Sequence, residues 1–229
     1  MQPALSHRRE PPSRSSAAPH RNDIDLTWSA GRERLALSER LVVLERHVRG
    51  SFFVEYVRMI RRRKDVDWMR TLRVEDLALV QQRITPEAWY PMSSFERLGL
   101  AILANFEGAG LDAVRLWGNF SAHQFVREYP SLVAKDDSVE TLMRLKVQRA
   151  TLFDFVAFDI PTLTEGHAEL TLNYGMGPVA EEAACHQTLG FCEGVLTLAG
   201  AGRIQGALGE RSWLGTPHTT LRLDWQARR

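Results

Sequence analysis

Cysteine is scarce: Cys185 and Cys192 are the only two in 229 residues. They are too few for a disulfide framework and suit a reducing compartment. Lysine is rare as well, at 3 residues against 26 arginines. Those arginines are scattered, so the bias reads as genome composition rather than as phosphate chemistry. An excess of one charge is also missing. The 29 Lys+Arg and 28 Asp+Glu leave a net charge of +1, which gives no global field to draw in nucleic acid. No apolar run approaches the roughly 20 residues that span a bilayer. The stretch from Met1 to Pro12 carries charge but lacks the apolar core of a secretory signal. Together these absences predict a cytoplasmic protein with no nucleic-acid partner and no membrane span.

What is present has the balance of a globular protein, 44% hydrophobic and 25% charged. Residues 1–24, rich in Pro, Ser, Arg and His, bury too little to offset their ordering entropy and read as a disordered basic tail. Residues 25–229 read as one domain, helical to about 150 and sheet-forming over 151–229. Helical spacing links Leu37, Leu41, Leu44 and Val48, then Phe53, Tyr56, Val57 and Ile60, then Phe95, Leu98, Ile102 and Phe106. Asp136 and Asp137 can start another helix towards Arg149. After Phe155 the period becomes two: Val156, Phe158 and Ile160, then Ala168 to Tyr174, then Ile204 to Arg211 more weakly, then Thr219 to Trp225. A helix from about Val179 to Ala199 separates the two strand pairs. The expected fold class is therefore α+β, a helical half followed by a strand–strand–helix–strand–strand antiparallel sheet. The strand ending at Trp225 is read as an edge, which makes a homodimer an expected assembly.

Candidate chemistry is sparse. Tyr174-Gly175-Met176-Gly177-Pro178-Val179-Ala180 has the glycine pattern that seats a pyrophosphate at a helix N-terminus. Hairpin strands precede it, and Glu181 and Glu182 would repel a phosphate, so a tight turn is the preferred reading. Cys185, Leu189, Cys192 and Leu196 share one helical face, which makes the thiols core residues and, with His186 alone beside them, leaves no metal site. His123 with Asp112 or Asp136, and the pair Asp154 and Asp159, are residue sets too common to define a catalytic centre. No catalytic residue is assigned. Arg61, Arg62, Arg63 and Lys64 end an amphipathic helix, where they complement its dipole or dock a partner. Trp89, Tyr90, Phe95, Trp117 and Phe120 are the candidate wall of an apolar ligand pocket.

A wider pattern emerges from the segments Asp67-Trp68, Trp89-Tyr90-Pro91-Met92, Phe95-Glu96-Arg97 with Gly99, Trp117-Gly118 and Phe153-Asp154-Phe155. It continues through Tyr174-Gly175-Met176-Gly177, Ala180-Glu181-Glu182-Ala183, Gly190-Phe191, Ser212-Trp213-Leu214-Gly215 and Trp225. From Val48 to Trp225 the chain resembles a paralogous family known mainly from myxobacterial genomes. Its strand–strand–helix–strand–strand ending is similar to the superfamily of 4-vinyl reductase and haem–nitric-oxide-binding domains, which also contains a Golgi transport component. That resemblance implies a module binding a small apolar ligand, an acyl chain or haem, and relaying its state to a protein partner. The haem-binding branch uses an axial His and a Tyr-x-Ser-x-Arg stretch. Here Tyr129-Pro130-Ser131-Leu132-Val133 lacks the Arg, and His123 lies only six positions before Tyr129. On this reading haem is disfavoured and the ligand is unknown. The alternatives are a protein-only scaffold and an enzyme, either a hydrolase or a thiol redox protein.

Overall fold

Apolar spacing builds each element in turn. The structure, a computed structural model, describes residues 45–105 and 110–226. The tail over 1–24, the positions Leu37, Leu41 and Leu44, and Phe106 lie outside the described residues. Strand β1 (His47–Arg49) leads into helix α1 (Gly50–Arg62), whose buried Phe53, Val57 and Ile60 recur every three or four residues. Short helices α2 (Trp68–Thr71) and α3 (Val74–Gln81) follow, then strand β2 (Trp89–Pro91) and helix α4 (Met92–Asn105). Helix α5 (Leu111–Glu128) ends in a 3-10 turn at Pro130–Leu132. Helix α6 (Ser138–Leu152) starts at Asp137, whose carboxylate accepts from the Glu140 N–H at 2.8 Å.

One expected element differs. Val48, placed by periodicity on a helix, sits fully buried in β1 opposite Tyr90. Its neighbour His47 is fixed by Asp154, which accepts from the His47 backbone N–H at 2.7 Å and lies 2.8 Å from its ring Nδ1. Pairing with a distant strand overrides the local helical period there.

The second half is α+β as expected: β3 (Phe158–Thr164), β4 (His167–Leu172), helix α7 (Pro178–Leu198), β5 (Gly202–Leu208) and β6 (Thr219–Gln226). The strands form an antiparallel sheet in the order β3-β4-β6-β5. Ala168, Leu170, Leu172, Leu221 and Leu223 are fully buried on one face, while Glu169, Arg222 and Asp224 occupy alternate positions pointing the other way. This topology corrects one expectation. The strand ending near Trp225 is an inner strand, hydrogen-bonded on both sides, so it offers no edge for a homodimer.

Helix α7 lies between the sheet and α5. Its Cys185, Leu189, Cys192 and Leu196 are buried, and the glycines Gly118, Gly190 and Gly194 bring α5 and α7 together backbone to backbone. A Cβ on Gly190 would overlap the Arg115 carbonyl, and one on Gly118 would overlap the Gln187 carbonyl. Arg115 crosses the same seam to the Glu193 carboxylate, its Nε donating at 2.9 Å. No helix among the described residues is long and apolar enough to cross a membrane.

Candidate functional site

Between α1 and α4 on one side and α5, α7 and the sheet on the other lies a cavity of about 390 Å³. Its walls are largely aromatic. Phe52 packs against Phe153 at 5.5 Å between ring centres and meets Phe95 edge-on at 6.2 Å. Tyr56 stacks on Phe95 at 4.5 Å, with the rings only 10° from parallel. Phe125 and Phe191 close the side formed by α5 and α7. Flat apolar walls of this kind suit a flat or chain-like apolar ligand.

Several polar groups in the wall are hydrogen-bonded within the protein, while the buried Ser51 hydroxyl has no partner. The Tyr56 hydroxyl donates to Gln187 Oε1 at 3.1 Å, and burial pushes its pKa up to about 12. Thr188 donates to the Ala184 carbonyl at 2.9 Å, so in the 2.5 Å contact between Tyr174 and Thr188 the tyrosine is the donor. Burial raises the Tyr174 pKa further still. Both phenols are therefore neutral hydrogen-bond donors rather than bases.

The turn that carries Tyr174 and Met176 into this wall is held by Glu181, which the sequence marks only as an acid that would repel a phosphate. Its buried carboxylate accepts from the backbone N–H of Tyr174 at 2.9 Å and of Met176 at 3.0 Å, and from the Ser212 hydroxyl at 3.3 Å. A carboxylate thus occupies the amide cluster a pyrophosphate would need, which agrees with the tight-turn reading of the glycine motif. Gly175 at φ 68° allows the chain to turn there, beside Arg46, which donates to the Tyr174 carbonyl at 3.0 Å.

Of the five aromatic residues proposed for a pocket, Phe95 and Trp117 line this cavity. Trp89, Tyr90 and Phe120 do not. Trp89 is 41% exposed beneath the Arg49 guanidinium, 4.6 Å from its ring centre. Tyr90 packs on Phe53 and accepts from the Thr85 N–H at 3.0 Å, while Phe120 is half exposed on the outer face of α5. The basic run is likewise partly engaged. Arg61 donates to the Val80 and Gln82 carbonyls at the end of α3, both at 2.6 Å, and Arg63 binds Asp65 at 2.7 Å. Arg62 and Lys64 are exposed.

The remaining candidates stay apart. Cys185 and Cys192 are buried, and desolvation pushes both thiols up to about 12, which leaves them protonated and unreactive. Asp154 is paired with His47, while Asp159 faces Lys146 at 2.9 Å, so these two acids do not work as a carboxylate pair. His123 and Asp112 are exposed on α5. Among the described residues no group of His, Cys, Asp and Glu is arranged to hold a metal ion.

No protein-family model matches the chain, and no curated protein matches it. Solved structures do. The unliganded Fe(II) H-NOX protein from K. algicida superposes with a TM-score of 0.57 at 14% identity, covering 79% of this chain and 97% of that one. The S. oneidensis H-NOX protein in its Fe(II)NO state gives 0.51 at 12% identity, covering 78% and 99%. A structure concerned with haem distortion in the H-NOX family gives 0.50 at 14% identity, covering 79% and 95%. This chain has the H-NOX fold. At such identities the likeness is one of fold, and it agrees with the distant similarity to haem–nitric-oxide-binding domains expected from the residues.

The same finding corrects the expectation about haem. The expectation against haem rested on the missing Arg between Tyr129 and Val133 and on the closeness of His123, but that segment is only the end of α5 and its 3-10 turn, with Tyr129 packed 4.6 Å from Phe125, and His123 is exposed on α5. Neither is a measure of cofactor binding, and the structures that share the fold come from haem proteins. The cavity wall also holds groups of the kind that bind haem: flat aromatic faces, and the Met92 and Met176 thioethers as iron donors that need lose no proton. Cys192, the other sulfur in the wall, is held as a neutral thiol.

Proposed function

We propose that this chain is a sensory ligand-binding domain whose ligand occupies the aromatic cavity between the helical half and the sheet. The observation that carries the reading is the cavity of about 390 Å³ walled by Phe52, Phe95, Phe125, Phe153 and Phe191, in a chain with the H-NOX fold. A ligand there touches Trp117 and Phe125 on α5 and Gln187 and Phe191 on α7. Because these two helices are locked through Gly118, Gly190 and Gly194, occupancy biases their joint position, and a partner protein reads that position. On the same reading, the motifs from Val48 to Trp225 reflect kinship with the myxobacterial paralogous family.

Haem is a candidate occupant. Met92 or Met176 would hold its iron and the phenylalanines would pack against its ring; when bound, it would supply an iron centre for a diatomic gas. The protein's own part is to hold the group between its aromatic faces.

Native mass spectrometry and an absorption spectrum of the same freshly purified sample test the proposal. A small-molecule mass lost on denaturation supports it, and a Soret band that shifts in Met92→Ala or Met176→Ala identifies haem held by a thioether. An apo mass that no added haem or apolar probe changes would overturn the ligand-binding reading in favour of a protein-only scaffold.

A further inference from the structure

Behind the Tyr56 ring lies a second cavity of about 290 Å³. Six residues line both spaces: Tyr56, Phe95, Trp117, Met176, Ala184 and Gln187. The partition is therefore made of side chains, centred on the Tyr56–Phe95 stack and the Tyr56 hydrogen bond to Gln187. Side-chain partitions open by rotamer change, without any movement of the backbone.

The two spaces differ in chemistry. Beyond the shared wall, the smaller is aliphatic, lined by Met59, Leu100, Leu103, Val114 and Ala183. Its one charged neighbour, Glu96, is occupied by the Gly177 N–H at 2.8 Å. The larger space has a polar margin on which Glu55, Glu87 and Glu128 outnumber Arg58. Arg58 is already paired with Glu55, and Arg49 nearby donates to the Glu87 carbonyl. Among the described residues lining this margin, Arg58 is the one cation.

We propose that both cavities take one ligand, an amphiphile with an uncharged or cationic head in the larger space. Its slender alkyl chain passes the Tyr56–Gln187 partition into the smaller one. This rests on the ligand-binding reading above and names the chemistry of its ligand. An aliphatic chain is matched by the aliphatic walls, and a carboxylate head would meet acidic neighbours.

The test is calorimetric binding of 2-naphthol, a flat ring matched to the aromatic larger space, alongside hexan-1-ol, octan-1-ol, decan-1-ol and decanoate. Each pair of added methylenes is expected to tighten alcohol binding about tenfold, from about 0.8 kcal/mol per buried methylene. Decanoate should bind at least about tenfold more weakly than decan-1-ol, by the carboxylate's repulsion in a partly desolvated site. Ala183→Phe, and separately Leu103→Trp, fill the smaller space. In whichever of them keeps the wild-type unfolding midpoint, the chain-length gain should vanish while 2-naphthol affinity stays within about twofold. A chain-length gain that survives both substitutions overturns the shared-cavity proposal, as does the absence of any such gain in the wild type. Decanoate binding as tightly as decan-1-ol overturns the head-group assignment. If 2-naphthol itself fails to bind the wild type, the larger cavity is no ligand site, and the failure lies in the proposed function.

Discussion

Glu181 holds Tyr174 by its backbone, one carboxylate oxygen accepting the Tyr174 N–H at 2.9 Å while the other takes that of Met176. The turn that delivers two cavity-wall side chains therefore hangs on one buried anion. Glu181→Gln replaces one acceptor by an amide group that cannot accept, and leaves a buried N–H without its partner. The expected loss is about 1–3 kcal/mol, read as a lower urea midpoint with an unchanged slope. A midpoint equal to wild type would show that the turn holds itself.

Asp76 is fully buried and receives two hydrogen bonds from Arg97, at 2.6 and 2.8 Å. The pair fastens α3 to α4, beside the buried Ser94 hydroxyl, which accepts from Arg97 at 3.0 Å. Removing one partner of such a pair strands the other, so Asp76→Asn should cost about 3 kcal/mol. That is the lower end of the usual range, because Arg97 keeps about a quarter of its side chain in solvent. Chemical denaturation checks it.

Gly190→Ala should separate α5 from α7, since its Cβ would overlap the Arg115 carbonyl, a backbone atom with no freedom to swing aside. A loss of about 1–3 kcal/mol or more is expected. Gly209→Ala is the control. Its Cβ would meet Thr220 at 3.5 Å or more, an ordinary van der Waals contact, and the change should stay within about 0.5 kcal/mol.

Alkaline pH should weaken the fold early. Cys185 and Cys192 are raised from 9.0 to about 12 and Tyr56 from 10.0 to about 12, each mainly by burial. Their folded forms keep protons that the unfolded chain gives up. The stability they contribute is intact below their ordinary pKa values and is lost as pH rises from about 9 towards about 12. Urea midpoints measured upward from pH 8 should fall, and Cys192→Ala should flatten the fall. A thiol reagent added at pH 8 should react only after unfolding.

Period-two runs such as Ala168 to Leu172 and Thr219 to Trp225 were readable because one face of the sheet is dry and the other wet, and the sequence alternates to match. Helix α7 was readable from Pro178 at its start and from the spacing of its buried face. Val48 was not, since its place depends on pairing with Tyr90, which no local period encodes. Strand order was hidden for the same reason, and with it the inner position of β6. In the candidate site, Phe95 and Trp117 could be picked as aromatic wall. Trp89 and Phe120 look equivalent in sequence, yet their helix or strand turns them outward to solvent. Glu181 was visible only as an acid in a first helical turn; its task follows from where the Tyr174 turn folds back onto it.

The glycine seam between α5 and α7 has a mechanical meaning. Where Gly118 and Gly190 set two backbones against each other, there is no cushion of side chains to compress. The helices cannot slide by a tooth, because a carbonyl sits where the next residue would have to pass. They form a single stiff beam, clamped across by Arg115 and Glu193. On the proposed reading, a push delivered at Gln187 would reach the outer face of α5, where Leu116 and Phe120 stand in solvent, with little loss of travel.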